Sequence, residues 1–384
     1  MLRGPVAEIS LSAVAHNYKT VRNIVQNRPV IAVVKADAYG HGAIEVSKRL
    51  LKEGVSYLAV AFVGEAVVLR NAGVVSPIIV LFDKGDVRDF FDLQLIPVIY
   101  NIDVAHALSQ EAIKRKTAVK VHVKIDTGMG RLGLHGRRIM SDLTKITEMP
   151  GVVIEGLLSH FSEADLMDRS YANQQLEKFH RIRETLEKKL KRKILSHMAN
   201  SAAVISYKDA CLDAFRPGIM LYGYNPIGNA ESRVHSAESH SETRDPESSS
   251  VNLIPVMSVK TKILSLRNLP AGAPVSYGRT FITKRKSKIG VIPIGYADGY
   301  NRLFSNNADV LVRGKRVPVA GRVCMDLTMI DVTDVRGVRE DDEVVIIGTQ
   351  GKETINALEL AKRSNTIPYE ILTSLGSRAQ RVYV

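Results

Sequence analysis

The chain has 384 residues, of which 45% are hydrophobic and 24% charged, with a net charge of +13. That balance excludes an intrinsically disordered chain and leaves room for two ordinary domains with a sizeable core. Two cysteines, Cys211 and Cys324, exclude a disulfide framework, and no apolar run reaches the length of a membrane span.

Residues 1–8 hold no apolar signal-peptide core, so a cytoplasmic protein with reduced thiols is expected. Basic runs at 188–193 and 284–288 carry no interleaved aromatics and no nucleic-acid motif. They fit solubility or long-range steering of anions, so neither nucleic acid nor membrane is predicted as a partner.

Apolar stretches at 30–35, 57–62, 77–82, 96–100, 118–125, 152–160, 194–200 and 214–223 predict eight strands. Amphipathic segments such as 41–53, 101–115 and 168–189 lie between them at helical spacing. Alternating strands and helices imply a parallel sheet. Eight repeats predict an α/β architecture, a closed (β/α)8 TIM-like barrel over 11–226, more than an open doubly wound sheet. No Gly-x-Gly-x-x-Gly follows the first strand, which weakens a dinucleotide-binding reading.

Residues 227–252, rich in Ser, Glu and His, read as a flexible polar linker. His235 and His240 within it read as solvated, and no metal site is predicted. From 253 to 384 the pattern turns to short Val-, Ile- and Thr-rich strands at 255–266, 274–276, 288–294, 308–312, 315–320, 327–333 and 343–347. Helical periodicity is scarce until about 354–363. This predicts a β-rich second domain, joined by an N-terminal strand within 5–10.

Lys35 ends the first apolar strand and is followed by a glycine-punctuated turn, Ala36-Asp37-Ala38-Tyr39-Gly40-His41-Gly42. It is either a strand-end lysine reaching solvent or a desolvated nucleophile at the barrel face where active sites are built. Such an amine forms a Schiff base with an aldehyde such as pyridoxal phosphate. Asn200-Ser201 follow the seventh predicted strand, and Arg216-Pro217-Gly218-Ile219 lie in the eighth. Loops there are a frequent phosphate site in barrels, while Asn200-Ser201 read equally well as a helix cap.

Seven segments in order resemble the alanine racemase family. They are Val33 to Gly42, Lys124-Ile125-Asp126-Thr127-Gly128-Met129-Gly130-Arg131-Leu132-Gly133, Ala199-Asn200-Ser201, Arg216 to Gly223, Val275-Ser276-Tyr277-Gly278, Ile294 to Gly299, and Gly321 to Asp326. The resemblance covers nearly the whole chain and implies a pyridoxal phosphate barrel followed by a β domain. It implies racemisation of alanine for peptidoglycan synthesis, with Lys35 holding the cofactor and acting as one base and Tyr277 as the other. Two bases are needed because one group removes the α-proton and a second returns it on the opposite face. In the family the second base comes from a partner subunit, so a homodimer with shared sites is implied.

The resemblance further implies that Arg216 faces the pyridine nitrogen and that His160 lies between Arg216 and Tyr277. It places Tyr39, Asn200, Ser201, Gly218, Ile219 and Tyr369 around the cofactor, and Arg131, Tyr296 and Met325 about the substrate. Lys124 matches a lysine that is carbamylated in many members. Asp326 is expected to help shape the site, and Cys324 is not proposed as a nucleophile. Without the family, Tyr277, His160 and Lys124 would read as a packed tyrosine, a buried core histidine and a strand-end surface lysine. A broad-specificity or serine racemase is the nearest alternative, since one methylene or hydroxyl discriminates modestly. A cofactor carrier built on the barrel alone and a decarboxylase on the same barrel are the other classes. The β domain argues against the first and the motif pattern against the second.

Overall fold

The computed structural model describes residues 4–227 and 251–384. The predicted linker 227–252, with His235 and His240, lies outside the described residues except at its two ends.

Short apolar runs become the strands of a parallel sheet in chain order. They are Ile31–Val33, Tyr57–Val60, Ile78–Val80, Ile96–Ile99, Val119–Lys124, Val152–Leu158 and Leu195–His197. Runs such as Ile78-Ile79-Val80 are continuously apolar because the barrel interior covers one face and helices cover the other. The helices Ala43–Lys52, Ile102–Arg115 and Ser170–Leu190 run between strands at nearly the predicted bounds. Asn101 caps the second of these by accepting the Val104 N–H at 3.0 Å.

The predicted eighth strand, 214–223, is a correction. Only its start runs parallel, with bridges from Ala214 to His197 and from Phe215 to Val30. Those bridges close the ring between the seventh strand and the first. Pro217 then removes a ladder donor, and the chain folds into a tight helical turn over Ile219–Tyr222.

The β-rich domain holds a sheet in the order 315–318, 309–312, 343–350, 257–262, 6–9 and 380–383. A second sheet pairs Ser265–Leu269, Ser287–Ile292 and Thr328–Asp331. The single strand expected at 255–266 is therefore two. At Ile263 the backbone bonds to Asp342 and at Leu264 to Val291, which hands the chain from one sheet to the other. A two-stranded ribbon, Pro274–Val275 with Phe281–Ile282, projects Ser276–Arg279 at its tip.

One helix of this domain, Pro368–Arg378, returns to the barrel. It crosses the turn after Lys35 so closely that a Cβ on Gly376 would stand 2.2 Å from the Gly40 carbonyl oxygen. Among the described residues no helix is long and apolar enough to cross a membrane, and no cluster of His, Cys, Asp or Glu could hold a metal ion.

Candidate active site

A cavity of about 500 Å³ opens at the C-terminal ends of the barrel strands. Lys35, Phe82, Lys124, His160, Ser201 and Arg216 line it from the ends of different strands, and Tyr369 lines it from the helix Pro368–Arg378. Tyr39, Arg131, Asn200, Gly218 and Ile219 complete the set of predicted residues that the fold brings to this cavity.

The backbone after Lys35 is unusual. Ala36, Asp37, Ala38 and Tyr39 all have φ between 51° and 55°, a left-handed turn made of L residues. Such a turn costs about 1–2 kcal/mol per residue. Three charge-assisted bonds hold it: Glu65 accepts the Ala36 N–H at 2.6 Å, Asp37 accepts the Ala43 N–H at 2.7 Å, and Arg381 donates to the Gly40 carbonyl at 2.9 Å. At roughly 1.5–3 kcal/mol each, these are of the size needed to offset the strain. Arg381 also pairs with Asp37 at 2.7 Å, so the last strand of the chain clamps the turn that carries Lys35. His41, fully buried, bonds the Ala38 and Tyr39 carbonyls and stacks on Tyr222.

Three cations surround one aromatic ring. Lys35 Nζ lies 5.4 Å, Lys124 Nζ 5.2 Å and Arg131 Cζ 5.9 Å from the centre of Phe82. Burial lowers the Lys35 pKa, Arg131 lowers it further, and Glu65 opposes both. Lys124 is lowered to about 8, chiefly by burial and then by Arg216, Arg131 and Lys35. Arg131 is fixed through its backbone, because the Asp126 carboxylate accepts the N–H groups of Gly128, Gly130 and Arg131 at 2.9–3.2 Å.

Arg216 is 5% exposed, and burial pulls its pKa down to about 9, still charged at neutral pH. It donates to the carbonyls of His197, Ser159 and Met198, to His197 Nδ1 at 2.5 Å and to His160 Nδ1 at 3.4 Å. Because a guanidinium only donates, His197 Nδ1 is an acceptor and its proton sits on Nε2. That proton faces His122 Nδ1 at 2.8 Å, which sets the tautomer of His122 in turn. Both rings are held neutral by burial, with pKa values below the ordinary histidine value. Sequence reasoning missed His197, His122 and Phe82. Each histidine sits alone in an apolar strand and reads as core, while Phe82 carried one signal, its place at a strand's C-terminal end.

The far end of the cavity is a cradle. Ser201 is 3% exposed, and its Oγ accepts the N–H groups of Gly218 at 2.9 Å and Met220 at 3.4 Å. With its lone pairs engaged, its O–H is left to donate into the cavity. A Cβ on Gly218 would stand 2.5 Å from Tyr39 Oη, so glycine lets the phenol approach the backbone. Tyr39 in turn packs 4.8 Å from Tyr222 and 5.8 Å from Tyr369, centre to centre, and burial raises its pKa. Asn200 acts here as a cap, accepting the Ala203 N–H at 3.0 Å.

Tyr277, Tyr296 and Met325 are not brought to this cavity. They stand 70%, 43% and 54% exposed on the β-rich domain. Their three loops are tied together: Ser276 Oγ donates to the Arg322 carbonyl at 2.6 Å, Tyr296 N to Cys324 at 3.0 Å and Ala297 N to Met325 at 3.0 Å.

The sequence profile of the alanine racemase N-terminal domain matches residues 9–226, and that of the alanine racemase C-terminal domain matches 256–383. An alanine racemase of Thermodesulfovibrio yellowstonii is 48% identical, covering 98% of this chain and 97% of its own. Two solved structures superpose over 100% of this chain. Alanine racemase from Bacillus anthracis with bound L-Ala-P has a TM-score of 0.87, 33% identity and 96% of its own chain covered. Alanine racemase from Bartonella henselae with covalently bound pyridoxal phosphate has a TM-score of 0.85, 30% identity and 100% covered. A barrel whose strand ends converge on an amine, a backbone cradle and a buried guanidinium, matched in both halves over its full length, makes this chain a member of the alanine racemase family.

Proposed function

We propose that the protein interconverts L-alanine and D-alanine, using pyridoxal phosphate held at Lys35, and so supplies D-alanine for peptidoglycan. The observation that carries this reading is the amine of Lys35 facing a buried hydroxyl donor, Ser201, across one cavity. The fit to the cofactor is chemical. An aldehyde finds an amine lowered by burial, and a phosphate finds the Ser201 O–H beside the Gly218 backbone, with Tyr39, Ile219 and Tyr369 enclosing it.

When bound, pyridoxal phosphate supplies an electron sink that acidifies the substrate's α-hydrogen. Burial and Arg131 shift Lys35 toward the neutral amine, the form that takes that proton on one face. Tyr277 returns a proton on the other face. Arg216 stays protonated and keeps its own protons, so it would not protonate a ring nitrogen held near it, and the weaker sink that results would favour prompt reprotonation over side reactions. His160 and the neutral His197 and His122 orient Arg216 without adding charge. Arg131 offers a fork to the substrate carboxylate.

The exposed cluster of Tyr277, Tyr296 and Met325 supports a homodimer in which each protomer lends these residues to its partner's cavity. The free thiols of Cys211 and Cys324 fit a cytoplasmic setting. At a pKa of about 8, Lys124 offers enough neutral amine to take up carbon dioxide, and its carbamate would turn a cation beside Arg131 into an anion that steadies it. Native mass measurement on active protein is expected to show the added carboxyl group; an unmodified amine in fully active protein removes this role.

The function itself is tested by assaying racemisation over a panel of small amino acids while recording cofactor absorbance on the same sample. Alanine is expected to be turned over fastest, with α-hydrogen exchanged for solvent deuterium. Preference for serine, or release of carbon dioxide, would overturn the reading.

A further inference from the structure

Glu65 belongs to the helix Val63–Asn71, which follows the second barrel strand. Its Oε1 accepts the Ala36 N–H at 2.6 Å, and its Oε2 accepts the N–H groups of Ala61 at 2.6 Å and Phe62 at 3.3 Å. Ala61 and Phe62 continue the strand Tyr57–Val60, which pairs with Ile31–Val33. One carboxylate thus bridges the ends of two neighbouring strands, and its first bond falls on the residue next to Lys35. Ala36 is also the first of the four left-handed residues.

We propose that Glu65 is the positioning residue of Lys35, pinning the start of the left-handed turn so that the amine is held in the cavity. The role rests on the reading of Lys35 as the reactive amine. A carboxylate suits it because every bond it makes here is accepted from an N–H, and an amide would turn one donor toward another. The opposite side of the turn is held separately, by Asp37 and Arg381. Glu65 is also an anion acting on Lys35, opposed by Arg131, while Lys124 and His160 line the same cavity. Glu65 therefore places the amine and partly offsets the lowering of its pKa by burial and Arg131.

The test compares wild type with Glu65→Gln and Glu65→Asp as full-length proteins. Lys35 is labelled with acetic anhydride across a pH series after removal of pyridoxal phosphate, and the Lys35 peptide is quantified by mass. In Glu65→Gln the labelling midpoint is expected to fall, because the anion that raises the Lys35 pKa is gone. Its kcat on alanine, measured on the cofactor-loaded protein, is expected to fall roughly 10–100-fold, the scale of a small misplacement. Glu65→Asp keeps the charge but shortens the reach, so its midpoint stays while its kcat falls. An unmoved midpoint in Glu65→Gln, or a kcat within about twofold of wild type, overturns the proposal. Should Glu65→Gln fail to fold, Glu65→Asp decides, and a wild-type kcat there overturns it. If wild type itself proves not to racemise alanine, the functional reading fails, and the labelling midpoint alone still judges Glu65.

Discussion

Lys35→Ala is expected to leave a folded protein that neither racemises alanine nor retains the visible absorbance of a covalently held cofactor. Two losses coincide at this atom. On the proposed roles, the tether for the aldehyde disappears, and so does one of the two groups that exchange the α-proton. Loss of a general base alone costs roughly 10²–10⁴-fold in rate, or about 3–5.5 kcal/mol of barrier. Losing the tether as well should push activity to the floor of the assay. The fold should survive, because Lys35 is half-buried and its turn is held by Glu65, Asp37 and Arg381. Borohydride reduction followed by peptide mass checks the tether directly: wild type should carry the cofactor on Lys35. A variant that kept both colour and turnover would move the chemistry to another amine, with Lys124 the next within the cavity.

Tyr277→Phe is expected to show its effect in exchange rather than in a one-sided rate. Enantiomers have an equilibrium constant of unity, so kcat/KM must fall equally in both directions, by roughly 10²–10⁴-fold if a phenol acid–base is lost. The asymmetry appears in deuterium oxide. One enantiomer should still exchange its α-hydrogen through Lys35, with its configuration retained, while the other should not exchange. Equal loss of exchange from both enantiomers would count against two bases on opposite faces.

The same variant tests the shared site. Tyr277 stands 70% exposed and outside the cavity of its own chain. Mixing Lys35→Ala with Tyr277→Phe protein under subunit exchange should therefore create one intact site in each mixed dimer. Activity should return to about one quarter of wild type in a random mixture of a two-fold dimer. No recovery, with mixed dimers present, would place both groups on one chain.

Much of the barrel was legible because parallel strands buried on both faces leave continuous apolar runs that need no partner to be recognised. The eighth strand was read too long. Its apolar character past Pro217 belongs to a buried helical turn, Ile219–Tyr222, and a short apolar run looks alike in either state. The helix Pro368–Arg378 received no bounds of its own from the sequence pattern, although Pro368 stands at its first position. The left-handed turn was invisible for a different reason. Nothing in Ala36-Asp37-Ala38-Tyr39 prefers positive φ, and the conformation is imposed by Glu65, Arg381 and Gly376, which are distant in sequence. Within the cavity, motif resemblance pointed to the residues expected to meet cofactor and substrate. The groups behind them, His197 and His122, answer to Arg216 and left no local pattern.

The sheet of the β-rich domain sets Val6–Ile9 between Met257–Lys262 and Gln380–Tyr383. The Leu11 N–H reaches the carbonyl of Val384 at 2.9 Å. Segments far apart in the sequence are thus neighbours in one hydrogen-bonded layer. The barrel can begin to collapse during translation, but that layer waits until Gln380–Tyr383 has been synthesised, and with it the Arg381 clamp on the lysine turn. A nascent chain stalled before that point would expose an unpaired strand edge, the surface that chaperones and aggregation both recognise.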